Sequence, residues 1–383
     1  MHMNTKIGIL ITSFCLMLLS LDSAAQADQA EAGIKTIMEQ SKVMGLSVAV
    51  VKNNQIIYTH SFGYKSVETK EPLTDDCLFR IASISKSFSA TSVMQLVQQK
   101  KLSLQTDLSE LVGFQIRNPK YPNTVITLEM ALSHLSSIND SQGYFTLDAI
   151  NPTKNPNWAS CYNAYEPGTK YQYCNLNFNM VGTIIEKISG ERFDQYVKHH
   201  VLDPLMIYGG YCVDSLDKSR FASIYEYNKD SAKFIPSPMA YAPRSAEIAN
   251  YTMGYTTPIF SPTGGMKITA TGLANYMIMH SRQGKNNGVR IISKKSATAM
   301  QTDRSAEEGY GLAIMTTDKL IAGKTLKGHT GSAYGLYSAM FFQPKEKFGI
   351  VVISNGCDPS YSNGFNSVIR NTVNCLYNAF LVK

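Results

Sequence analysis

The chain has 383 residues, 44% of them hydrophobic and 17% charged, with a formal net charge of +7. That is ample for a large core, arranged as one compact domain with a big insertion or as two lobes. The positive charges are scattered, with no basic run longer than two, so they read as a solvated surface mildly favouring anionic ligands or envelope surfaces and exclude a nucleic-acid footprint.

Lys6 followed by an apolar run over residues 7–21 and the small residues Ser23-Ala24-Ala25-Gln26-Ala27 reads as an export signal over residues 1–27, cleaved after Ala25-x-Ala27. The alternative is a single membrane anchor, but the run is short for a span and nothing polybasic flanks it. The expected mature chain, 28–383, is periplasmic or secreted and has no transmembrane segment after signal cleavage. Cys15 lies inside the signal. Of the six remaining cysteines, Cys161 and Cys174 flank a turn-rich loop and are the expected disulfide, with buried free thiols as the alternative. No cysteine or histidine spacing suggests a metal, and nothing calls for a cofactor.

Asp28 to Gln40 predicts an amphipathic helix with Ile34, Ile37 and Met38 inward. Leu46–Val51 and Ile56–Phe62 flank Lys52-Asn53-Asn54-Gln55 as a hairpin. After an irregular crossing comes Phe79-Arg80-Ile81-Ala82-Ser83-Ile84-Ser85-Lys86. Its Ser-x-x-Lys places Ser83 and Lys86 on one face if a helix starts there. A serine hydroxyl needs a neighbouring base to act as a nucleophile, and a lysine is one when burial lowers its pKa. A serine at a helix start is otherwise an ordinary N-cap. The same spacing at Ser215-Leu216-Asp217-Lys218 has no apolar run behind it and reads as chance.

From Ser87 to about Met300 the pattern is mainly helical. It predicts helices over Thr127–Leu135, Leu176–Ile188 (closed by Ser189-Gly190), Phe193–Val201, Thr271–His280 and Ser293–Met300. Tyr208–Ser261 is loop-rich, a candidate pocket wall. Strands return over Tyr310–Thr316, Thr325–His329, Tyr337–Gln343 and Phe348–Ser354, and Phe365–Leu381 closes as a helix. The predicted fold is α+β: one antiparallel sheet built from both termini (about 28–82 and 301–383), flanked by helices, with a mainly helical lobe inserted over about 87–300.

Tyr173-Cys174-Asn175 follows Pro167-Gly168-Thr169-Lys170. A tyrosine near cations can shuttle protons, and an asparagine can bridge a lysine and a substrate carbonyl. At Gly328-His329-Thr330-Gly331-Ser332, small residues let a substrate lie along a strand edge, and the amides of Ser332 and Ser83 can form an oxyanion hole.

Taken in order, Phe-Arg-Ile-Ala-Ser-x-x-Lys, Pro-Gly-x-x-Tyr-x-Tyr-x-Asn, Pro-Thr-Gly-Gly at 262–265 and His-Thr-Gly-Ser resemble the serine β-lactamase and penicillin-binding-protein superfamily, class C-like branch. Thr127 to Ser137 also resembles the family's LLTHTSG segment, departing at Leu135 and Ser137. The resemblance runs from about Gly45 to Ser354. It implies a β-lactamase/transpeptidase-like fold, with Ser83 as the acylated nucleophile and Lys86 assisting its deprotonation. Tyr173 would be the general base, and Asn175 would orient substrate and Lys86. His329, with Thr330 and Gly331, would stand where β-lactamases carry Lys-Thr-Gly, and Ser332 would give the second oxyanion amide.

A histidine at 329 is only partly charged at neutral pH, so carboxylate recognition is expected to be weaker than with lysine. The expected function is therefore acyl transfer from a small-molecule or peptide acyl donor. Hydrolysis of an ester or peptide ranks first, transfer to a hydroxyl or amine acceptor second, and true β-lactamase activity third. The rival from another class is a penicillin-binding or sensor module that is acylated without turnover.

Overall fold

The computed structural model describes residues 24–305 and 307–382, so the apolar run read as an export signal lies outside the described residues. Among the described residues, no helix is long and apolar enough to cross a membrane.

The architecture is mixed α/β around a seven-stranded antiparallel sheet. Its strands are β1 (Gly45–Lys52), β2 (Gln55–Ser66), β3 (Glu71–Pro72), β4 (Met315–Thr317), β5 (Leu326–Ala333), β6 (Leu336–Gln343) and β7 (Phe348–Gly356), in the spatial order β4-β5-β6-β7-β1-β2-β3. The two chain ends meet where β1 pairs with β7, Val48 opposite Val352. The β1–β2 hairpin turns on Asn53 and Asn54, at φ 54° and 60°. Asparagine tolerates this left-handed backbone, which matches the twist of a two-residue turn.

Side chains alternate across the sheet. Leu46, Val48 and Val50 of β1, with Ile350 and Val352 of β7, face an outer layer made by α1 (residues 24–40) and α6 (Ser367–Phe380). Ala49, Val51, Val351 and Ile353 face the larger inner core. That core packs against α2 (Ser85–Gln98), α3 (Asn175–Ser189), α4 (Ala270–Ser281) and α5 (Lys294–Gln301).

Most expected elements are present within a few residues. Gly190 closes α3 at φ 74°, and the Ser293 side chain caps α5 by accepting from the Ser296 amide. Two differ. Tyr310–Ile314 is not a strand: only Met315–Thr317 joins the sheet, and Tyr310 makes no more than isolated bridges, because Ala313 adopts a left-handed φ of 58° and Gly311 packs where a Cβ would lie 2.4 Å from the Met300 carbonyl. Phe193–Val201 is α-helical only to Val197 and continues as a π-turn over Lys198–Leu202.

Candidate active site

The site is built where α2 enters the inner core. Phe79–Arg80 pairs with Lys267–Ile268, and the Ile81 amide donates to Met266 O at 3.0 Å. Ala82 then turns at φ 47°, a left-handed conformation that an alanine holds only under outside constraint. Ser83 follows in a tight turn over Ala82–Ile84, one turn ahead of α2. It does not cap the helix: Ile84 occupies the cap position, with no side-chain bond. Helix α2 is buried from Ser85 to Leu96. Its hydroxyls have internal partners: Ser85 Oγ accepts from the Met266 amide, and Ser89 donates to Pro262 O at 2.9 Å.

Lys86 is fully buried. Its Nζ donates to Ser83 Oγ at 3.2 Å, Asn175 Oδ1 at 2.9 Å and Thr263 O at 3.0 Å. It also lies 4.6 Å from the Tyr173 ring centre. Burial lowers its pKa to about 7, against a smaller opposing pull from Asp140. Asn175 begins α3, where Asp140 accepts from the amides of Asn175 and Leu176 and from Asn175 Nδ2, all at 2.9 Å. A carboxylate at a helix N-terminus fixes both amides and orients the amide side chain towards Lys86. Sequence reading missed Asp140, which lies 35 residues from its partner and in no recognisable spacing.

Tyr173 stands over Lys86 and beside the buried His134, ring centres 4.4 Å apart. Burial raises its pKa, only partly offset by a hydrogen bond with Ser83, so the resting side chain is a phenol rather than a phenolate. His134 accepts from the Cys174 amide at 3.1 Å and is held uncharged by burial and the nearby Lys86. His329 is also buried. Its Nε2 meets Tyr310 Oη at 2.9 Å and its Nδ1 meets Thr330 O at 2.6 Å. Burial, with Lys86 nearby, takes its pKa down to about 4. His329 is thus neutral throughout the neutral range, where the sequence suggested partial charge.

Strand β5 closes the opposite side. A Cβ at Gly331 would lie 2.2 Å from Ile81 O and 2.4 Å from Ser338 Oγ, so only glycine lets β5 approach the segment before Ser83. Ser338 Oγ donates to Ile81 O at 3.0 Å across the same junction. The result is a cavity of about 540 Å³ that Ser83, Tyr173, Asn175 and Ser332 line together. His329, Thr330 and Gly331 stand behind this wall and are not in its lining. The loop Tyr208–Ser261 contributes only Ser261. The remaining walls are Arg80 and Ala82, Tyr144 and Phe145, residues 263–264 and Ala333-Tyr334.

The disulfide expected between Cys161 and Cys174 is not formed: all six described cysteines are free. Cys161 Sγ donates to Ala149 O at 3.3 Å, and Cys174 Sγ to Asp140 at 3.2 Å. Each thiol is thus engaged on a different partner. The Ser215–Lys218 spacing falls in surface turns, away from this site.

The β-lactamase family model matches residues 30–367. Among curated proteins, Protein flp of Staphylococcus aureus is 23% identical over 352 residues, covering 88% of this chain. The chain spans 64% of that relative's length. Among solved structures, an octameric penicillin-binding protein homologue from Pyrococcus abyssi superimposes with a TM-score of 0.72 at 25% identity, covering 92% of this chain and 76% of its own. EstCE1, a hydrolase with promiscuous acyltransferase activity, does so with a TM-score of 0.72 at 18% identity, covering 94% and 99%. The family match runs from within α1 to the first residue of α6, and the chain accordingly belongs to the β-lactamase family of enzymes.

Proposed function

We propose that this chain is an exported serine acyl-transfer enzyme of the class C-like branch, which breaks an ester or amide through an acyl-enzyme on Ser83. The observation that carries this reading is the buried Lys86, 3.2 Å from Ser83 Oγ and with a pKa near 7. A lysine with its pKa lowered this far supplies free base at neutral pH, the condition for general-base action.

Neutral Lys86 takes the Ser83 proton as Oγ attacks the acyl carbon. The carbonyl oxygen becomes an oxyanion between the amides of Ser83 and Ser332. The bond to the leaving group then breaks, and the proton passes from Lys86 through the Tyr173 hydroxyl to that group. An acceptor (water, an alcohol or an amine) attacks the acyl carbon, gives its proton back along the same route and frees Ser83. Tyr173 is assigned here as a neutral relay rather than the resting base, because burial moves its pKa upward. Asn175 holds Lys86 and Thr263 in place.

Hydrolysis of an ester or peptide is favoured over β-lactamase activity because buried, neutral His329 offers no cation at the position where β-lactamases carry the lysine of Lys-Thr-Gly. A fold shared with a penicillin-binding protein homologue and with a hydrolase that also transfers acyl groups is in keeping with this reading.

The test is intact mass over time with 4-nitrophenyl acetate and, separately, with penicillin. The expected result is a transient acetyl adduct on Ser83 with nitrophenol release, and neither in Ser83→Ala. Unaltered turnover in Ser83→Ala would sink the mechanism. A long-lived penicilloyl adduct would move the assignment to a slow penicillin-binding peptidase.

A further inference from the structure

The wall of the Ser83 cavity carries one charged side chain, Arg80. It is only 7% exposed. Its Nε donates to Gly264 O at 2.8 Å, and its Nη2 reaches Ser261 Oγ at 3.4 Å. Nη1 has no hydrogen-bond partner among the described residues, and no carboxylate there lies within ion-pair distance of the guanidinium. The ring of Tyr334, another cavity residue, stacks on it at 5.0 Å. A buried cation is ordinarily paired, since leaving it unpaired costs several kcal/mol. Arginine does not escape that cost by losing its proton. Lys86 does not meet the need of an incoming anion, being committed to Ser83, Asn175 and Thr263.

We infer that Arg80 is the anion subsite of this cavity, and that the acyl donor carries a carboxylate which seats on its open Nη1 edge while the acyl carbon lies at Ser83. The inference rests on the acyl-enzyme reading above and adds a substrate class to it. Tyr144, Phe145 and Tyr334 give that donor an aromatic wall, and no acidic side chain lines the cavity to repel it.

The experiment compares two esters of one acyl skeleton: mono-4-nitrophenyl glutarate, with a free carboxylate, and its methyl-capped neutral counterpart. In the wild-type protein kcat/KM should favour the anionic ester. In Arg80→Gln the ratio of the two values should fall roughly tenfold to hundredfold, the range of a charge-assisted hydrogen bond, and Arg80→Lys should recover part of it. A ratio that stays put while Tm falls would assign Arg80 to holding residues 261–264 alone and overturn the subsite. Should Arg80→Gln not fold, the wild-type protein decides, because equal kcat/KM for the two esters overturns the proposal. Failure of the acyl-enzyme reading looks different: the neutral ester would then leave no adduct on Ser83.

Discussion

The two faces of the sheet are held by different means. Outside, α1 and α6 lie on a nearly continuous apolar surface of Ile34, Val48, Val352, Val373 and Leu376. Inside, the core that packs α2, α3 and α4 also encloses Lys86, His134, Asn177, Asn179, Glu186 and His329, all buried. Polar groups removed from water need partners, and Glu186 draws its own from three places in the chain: Phe193 N at 2.8 Å, Gly254 N at 2.7 Å and Thr257 Oγ1 at 2.8 Å. The outer face therefore supplies stability that is indifferent to chemistry. The inner face accepts a cost in burial in order to fix reactive groups.

That contrast predicts that inner-face polar substitutions remove activity more than stability. The largest effect is expected at Lys86. Lys86→Met should lower turnover by roughly 10²–10⁴-fold, the contribution of a positioned general base. In the wild-type protein kcat/KM should rise with pH through a midpoint near 7, as Lys86 becomes neutral. Stability should move with it. Below about pH 7 both folded and unfolded lysine carry the proton, and the folded state bears the cost of the buried charge. Between there and the ordinary lysine value of 10.5 only the unfolded chain binds the proton, so stability rises with pH across that window. Lys86→Met should flatten this rise, gaining most below pH 7. Urea unfolding at pH 6 and pH 9, beside a pH–rate profile, reads both. A variant that keeps wild-type turnover would break the comparison outright.

Next in size is the mirror case. Leu376 of α6 is fully buried in the outer layer. Leu376→Ala should destabilise by about 2–5 kcal/mol through lost burial and a residual cavity. Turnover per folded molecule should not change. A matching fall in kcat would mean that the outer layer is coupled to the site, and the two faces could no longer be treated as independent.

The same contrast marks how far the sequence could be read. The apolar, β-branched runs of β1 and β7, and the closing helix α6, place the sheet and its outer layer because each side chain there answers only to burial. The motif serine and lysine were also legible, being three residues apart and ahead of an apolar run. Asp140 was not, since its role is to cap a helix that starts 35 residues later. Nor was the state of His329, because burial decides whether an imidazole is charged and a single strand of sequence does not show depth. Arg80 was visible as a letter of the motif, but its lack of a carboxylate partner is a property of the assembled cavity. The Cys161–Cys174 expectation failed for a related reason: closeness in sequence across a loop says nothing of where each thiol points.

The smallest expected effect compares one buried hydroxyl on each face. Ser338 on β6 donates to Ile81 O, 257 residues away, and so ties the sheet to the strained turn that presents Ser83. Thr372 on α6 is equally buried, but its Oγ1 has no partner among the described residues. Ser338→Ala leaves a buried carbonyl without its donor and should cost about 1 kcal/mol. It should also lower kcat several-fold, because Ala82 holds its left-handed turn only while β5 and β6 press on it. Thr372→Val keeps the shape and removes a hydroxyl that already lacks a bond, so it should be neutral or slightly stabilising, with kcat unchanged. Chemical denaturation and steady-state rates on the two variants, side by side, measure the difference. Equal losses from both would mean that a buried hydroxyl is worth the same on either face, and that the inner network is no more than packing.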